Sequence, residues 1–188
     1  MIERDDAVRI VEEELARGHQ ARVSDGIEQF PRSVVVRVIE HELVWKVYVQ
    51  SEEYARTGNL AAMLVGHGPY LVDRADGGLH SIGVLSEVEG AWEDDYRSRI
   101  RGLPVRTPVD DLHDELRTVT EATGGRMAAA RALRRKVTGF SPRHALAYVT
   151  GLLAGEVPAQ LLAIAHQELV KPLDRVLAVR TFGVDADF

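Results

Sequence analysis

Two runs dense in Val, Ile, Trp and Tyr, Ser33 to Glu40 and Leu43 to Gln50, are separated only by the polar stretch Glu40-His41-Glu42. β-Branched and aromatic residues at this density favour strands, and a short polar link between two such runs is a turn between neighbours. Side chains alternate across a strand, so Trp45, Val47 and Val49 share one face while Val44, Lys46 and Tyr48 share the other. The first face predicts a covering helix. Upstream, Asp5 and Asp6 precede Ala7, Val8, Ile10, Val11 and Leu15, an apolar set at three- and four-residue spacing with acid at the helix start, and Gly18 marks the expected end.

Ser51 to Asn59 reads as a polar connection, followed by Leu60 to Val65 and Gly66-His67-Gly68-Pro69. Two further strands, Tyr70-Leu71-Val72 and Leu79-His80-Ser81-Ile82, flank Asp73 to Gly78, where Asp76-Gly77-Gly78 signals a hairpin turn. Val88, Trp92, Tyr96 and Ile100 recur every four residues and predict an amphipathic helix sealing the sheet, with Gly90 weakening its first turn. The expectation is an α+β unit over residues 1–103, a small antiparallel sheet flanked by helices.

Pro104 and Pro108 bracket a change of rhythm, because strand-like alternation stops there. Residues 104–188 are expected to form a mostly helical domain, with helices at Asp110 to Thr123, Arg126 to Val137, Ser141-Pro142 to about Ala154, after Pro158, and from Leu173 toward Arg180. The charge divides at the same place. Residues 1–103 hold 12 Lys+Arg and 19 Asp+Glu, against 11 and 10 in residues 104–188.

Composition narrows the function classes. At 188 residues, 45% hydrophobic and 28% charged, the chain can bury a core. With no cysteine it has no disulfide, thiolate nucleophile or Cys-based metal site. The start Met1-Ile2-Glu3-Arg4-Asp5-Asp6 lacks the basic and apolar regions of a signal peptide, and no apolar run reaches the ~18 residues of a membrane span, so the expected location is cytoplasmic with no membrane partner. A net charge of −6 disfavours general affinity for nucleic acid, which needs clustered Lys and Arg.

The order Val44-Trp45-Lys46-Val47-Tyr48-Val49, Tyr54-Ala55-Arg56-Thr57-Gly58-Asn59, Leu64-Val65-Gly66-His67-Gly68-Pro69-Tyr70-Leu71-Val72-Asp73 and Asp76-Gly77-Gly78 resembles the YrhB-like family, also called immunity protein 35 of bacterial polymorphic toxin systems. The resemblance covers roughly residues 1–100, and its most specific piece is the Leu-x-Gly-x-Gly-Pro-x-x-Val-Asp string. It implies a small α+β protein that acts by binding, neutralising a cognate toxin or behaving as a chaperone, with no catalytic residues to transfer. Met127 to Leu146 is similar to the helix, Thr-Gly turn and helix of the ribosomal stalk protein's C-terminal domain, read here as a shared helical hairpin and not as ribosomal function.

Gly66-His67-Gly68-Pro69 could form an anion nest, yet no Lys, Ser or Thr follows at P-loop spacing, and a tight entry into the hairpin is the preferred reading. His67 and Asp73 lack a third partner or nucleophile, so no catalytic residue is assigned. The seven histidines make no His-x-x-x-His pair and are read as exposed or turn residues, with no metal and no cofactor expected. Trp45 and Trp92 are expected in the core. Candidate partner-binding residues are the acidic Glu52, Glu53, Glu93, Asp94 and Asp95, which would complement a cationic toxin, and the basic Arg134, Arg135 and Arg143 of the only dense basic stretch. A solvated helix face is the preferred reading of that stretch and an acidic protein partner the next, with a helix-turn-helix nucleic-acid-binding regulator kept as an alternative although its second helix offers no Asn, Gln or further Arg for base edges. The sequence assigns no oligomeric state.

Overall fold

The Val-rich runs form β1 (Ser33–Glu40) and β2 (Val44–Ser51), paired antiparallel from Ser33 opposite Ser51 to Glu40 opposite Trp45. The His41 amide donates to the Val44 carbonyl at 3.0 Å and closes the turn. The register shifts between Val35 and Arg37, a bulge that leaves Val36 exposed on this edge strand. β3 (Tyr70–Asp73), β4 (Leu79–Ser81) and β5 (Arg180–Thr181) complete a five-stranded antiparallel sheet in sequential order. The fold class is α+β, as the strand pattern implies. In this computed structural model residues 1–26, 31–123 and 125–182 are described.

The chain divides into two units, Met1–Gly102 with the segment from Leu173, and Leu103–Pro172. In the first, α1 (Arg4–Ser24) lays Ala7 and Val11 on the face of Trp45, Val47, Val49, Val72 and Leu79. The Trp45 indole N–H donates to the Ile2 carbonyl at 2.9 Å, so its one polar atom is satisfied inside the core. The opposite face packs Val44, Leu71 and Ile82 against Trp92, Tyr96 and Val179. Both tryptophans are core residues, as expected.

Four local expectations are corrected. The first helix runs through Gly18, and it ends where Gly26 turns left-handed at φ +82°. The connection after Ser51 contains a short helix, α2 (Glu52–Thr57), because the Ser51 hydroxyl caps it by accepting the Tyr54 amide at 3.0 Å. The four-residue series from Val88 to Ile100 is broken, since Gly90 at φ +73° ends α3 (Val84–Glu89) before α4 (Ala91–Asp95) runs into a π-helical turn, Tyr96–Ile100. Val88 therefore stays exposed while Trp92 and Tyr96 are buried.

The helix expected from Leu173 toward Arg180 does not form. Instead the Ser86 hydroxyl donates to the Leu177 carbonyl at 2.5 Å, the Val179 amide donates to Asp95 Oδ2 at 2.8 Å, and β5 pairs with β4. Those anchors hold the segment extended, with Val179 buried.

The second unit consists of α5 (Pro108–Thr123), α6 (Arg126–Lys136), α7 (Pro142–Ala154) and α8 (Ala159–Leu169) around Leu112, Leu116, Leu133, Phe140, Tyr148 and Val149. Ser141 caps α7 by accepting the His144 amide, with Pro142 in the first turn. Glu168 of α8 accepts the Thr138 amide and hydroxyl at 2.6 and 2.7 Å and pins the α6–α7 turn. Among the described residues no single helix is long and apolar enough to cross a membrane.

Candidate functional site

The family-like string turns out to hold the fold. A Cβ on Gly68 would stand 2.4 Å from the Ile82 carbonyl oxygen, so only glycine fits beside that backbone, and Gly66 is left-handed at φ +81°. This tight entry leaves His67 exposed in the loop before β3 and Asp73 buried at the end of that strand. The Asp73 carboxylate accepts the Tyr96 hydroxyl at 2.6 Å, the Ala75 amide at 2.7 Å and the Arg101 guanidinium at 3.0 Å. Burial alone would raise its pKa, but these donors outweigh it and hold the carboxyl below its ordinary range. Burial followed by the bond to Asp73 pushes the Tyr96 hydroxyl well up, so it stays a donor. His80 is buried too, edge-on to Tyr96 with Nδ1 3.0 Å from Thr181 Oγ1, which corrects the expectation of exposed or turn histidines. Its pKa is lowered by burial.

An open feature lies on the other side of the sheet. Only the first half of α1 is buried against the strands, through Ala7 and Val11, and its second half overhangs them. Two adjoining cavities of about 530 and 510 Å³ result, sharing Leu15, His19 and Ser33. Glu12, Glu52 and Arg32 stand at the first, and Glu14, Arg22, Arg180, His67 and Phe182 at the second. Neither Glu12 nor Glu52 has a side-chain partner among the described residues, and His19 Nδ1 is buried without one. With two unpaired carboxylates against Arg32, the rim of the first cavity keeps an acidic excess that suits a cationic segment bearing an apolar side chain. Sequence reading stopped the helix at Gly18 and missed this cleft, although Leu15, His19 and Val23 continue the four-residue spacing beyond it. Among the described residues no three His, Asp or Glu side chains converge as a metal site requires.

Comparison with known proteins places this unit. Immunity protein 35 matches residues 5–109, more than half of the chain. The chain belongs to the immunity protein 35 family. Membership gives it an immunity-protein role in general terms. The uncharacterized protein YrhB of Escherichia coli (strain K12) is 31% identical over 61 residues, a stretch that spans 32% of this chain and 65% of that relative. No solved structure matches the chain significantly. The likeness of residues 127–146 to the ribosomal stalk protein gains no support, since the helix α5 precedes that hairpin and the family match ends at residue 109.

Within this immunity protein the acidic candidates separate. Glu52 lines the cleft, and Glu53 beside it accepts the Asn59 side-chain Nδ2–H at 2.9 Å. Glu93, Asp94 and Asp95 sit on α4, which covers the opposite face of the sheet through Trp92. Glu93 pairs with Arg97 at 3.0 Å, and Asp95 is consumed by Arg99 at 2.7 Å and by the Val179 amide. Asp94 stays exposed. Of the basic candidates, Arg134 donates to the Phe140 carbonyl at 3.1 Å, while Arg135 and Arg143 are exposed.

Proposed function

We propose that the chain neutralises, by binding, a protein toxin encoded alongside it, and that the first unit is the binding unit. The observation that carries this reading is the coincidence of the family match over residues 5–109 with the unit that bears the acidic surplus and the cleft beneath α1. The role is non-catalytic: His67 lies in the loop before β3 while Asp73 ends that strand, and Asp73 is spent on Tyr96 and Arg101. The partner presents a cationic, partly apolar segment, whose charge Glu12 and Glu52 meet at the cleft rim and whose apolar side chain fits beside Leu15. Acidic surfaces of this kind raise association rates through long-range steering, an effect that salt screens. YrhB is described only as uncharacterized, so a chaperone-like role draws no separate support from it.

The test is binding kinetics between the full chain and the toxin domain encoded next to it. Reversing Glu12 and Glu52 to Lys should slow association and weaken its dependence on salt while leaving the melting midpoint in place, because both side chains are exposed. Unchanged kinetics in that variant would remove the cleft rim from the interface.

A further inference from the structure

The second unit carries a charge pattern that the family match, ending at residue 109, does not reach. From Arg126 to Gly155 the chain has five Arg and one Lys and not a single Asp or Glu, in a protein of net charge −6. These residues are α6, the turn and α7. Two of the six cations serve the fold: Arg134 holds the Phe140 carbonyl, and Lys136 pairs with Glu115 of α5. The other four, Arg126, Arg131, Arg135 and Arg143, are exposed and have no side-chain partner among the described residues. α5 differs, because Arg106 and Arg117 beside it are neutralised by Asp111 and Asp114.

Three of these guanidiniums, Arg131, Arg135 and Arg143, stand on the outward sides of their helices. α6 buries Ala129, Ala130, Ala132 and Leu133, so Arg131 and Arg135, one turn apart, face away from the core, with the exposed Met127 one turn before them. α7 buries Ala145, Tyr148, Val149 and Leu152, leaving Arg143, Leu146 and Leu153 outward. The hairpin that presents them is braced, since Glu168 pins the Thr138-Gly139 turn and Arg134 ties α6 to the start of α7. The bracing spares the backbone an ordering cost on binding, so the entropy spent is that of the exposed side chains alone.

We propose that this outward face of α6 and α7 is a docking surface for an acidic protein segment, one whose carboxylates meet Arg131, Arg135 and Arg143 and whose apolar side chains cover Met127 and Leu146. Charge complementarity selects the partner: guanidiniums pair with carboxylates in planar, two-bond geometry. A nucleic acid fits less well. Helix-turn-helix readers contact base edges from the start of the second helix, which here offers Arg143 and His144 and then Leu146, Ala147 and Thr150, and apolar side chains pressed on phosphates gain nothing.

The test titrates three species of the full-length chain, wild type, Arg131→Glu with Arg135→Glu and Arg143→Glu, and Met127→Ser with Leu146→Ser, each checked first for an unchanged helical spectrum and melting profile. The probes are a labelled glutamate-rich peptide with interspersed leucines and a labelled DNA duplex, at low and physiological salt. The wild type should bind the peptide more tightly than the duplex. Peptide affinity should fall by at least about tenfold in the triple reversal, and measurably in the serine variant. Absence of peptide binding at low salt, tighter binding of the duplex, or indifference to the serine substitutions would each overturn the proposal. Sedimentation of the wild type should show no self-association that the triple reversal abolishes; such a dimer would assign the face to a second copy instead.

Discussion

Trp45 shows how much of the first unit rests on single side chains. Its ring joins the α1-side core, its indole N–H reaches the Ile2 carbonyl, and the Arg74 guanidinium lies 5.2 Å over its face. Trp45→Ala should cost about 3–5 kcal/mol, a large share of the ~5–15 kcal/mol that holds a domain together, and denaturant unfolding of the full chain followed through the first unit reads it directly. An unchanged midpoint would place Trp45 outside the core. The buried polar node sets a pH dependence. Folded His80 resists protonation, whereas the unfolded side chain takes up a proton near its ordinary 6.5, so the unfolded state binds more protons below that value and stability falls as pH drops through it. Asp73, held below its ordinary 3.8, adds a loss of the same sign at lower pH. The thermal midpoint of the first unit should therefore decline from roughly pH 7 to pH 5, and His80→Asn, which retains a polar atom toward Thr181, should flatten that slope. A midpoint that rises over the same range would contradict the sign.

At the scale of elements, the strands were legible in the sequence and several helix ends were not. β1 and β2 announce themselves because a period of two in Val, Trp and Tyr has one structural solution, and the Asp76-Gly77 turn follows from the left-handed φ of +78° at Gly77. Helix boundaries depend on tertiary partners instead. Gly18 looks like a stop but keeps helical dihedrals, and Gly90 looks tolerable inside a helix yet divides one, because its left-handed conformation lets Trp92 and Tyr96 turn onto the sheet. The extended segment after Pro172 was illegible for the same reason, as its hydrogen-bond partners Ser86 and Asp95 lie far away in the chain. The candidate site was legible only in part: Glu52 was named for its charge, while the cleft it borders depends on where α1 leaves the sheet. The α6–α7 hairpin gives an element-scale test. Glu168, whose pKa is lowered by the Thr138 amide and hydroxyl and then the Gly139 amide, holds its turn more tightly when ionised than when protonated. Glu168→Ala should speed amide exchange at Thr138 and Gly139 without unfolding α7, and in the wild type the same loosening should appear as pH falls below the ordinary carboxylate value of 4.5. Unaltered exchange at those amides would mean the turn holds without its clamp.

At the scale of the whole molecule, the division into units predicts which truncations survive. The junction after Gly102 lies beside the proline-marked change of composition, yet the first unit also uses Val179, the Leu177 carbonyl and β5. A fragment ending at Leu103 should therefore melt well below the first unit of the full chain, because it exposes one edge of β4, leaves the Ser86 hydroxyl without the Leu177 carbonyl and takes the Val179 amide from Asp95. Equal midpoints would mean the terminal segment adds nothing to this core. Charge is distributed on the same scale, with the acidic surplus in the residues that match immunity protein 35 and the unpaired cations beyond them. Growth of cells expressing the toxin domain encoded beside this chain, with and without the full-length protein, tests the central claim most directly. Restored growth with the wild type, lost with Glu12→Lys and Glu52→Lys at equal protein levels, is the predicted result; growth that stays arrested in the presence of folded wild-type protein would contradict it.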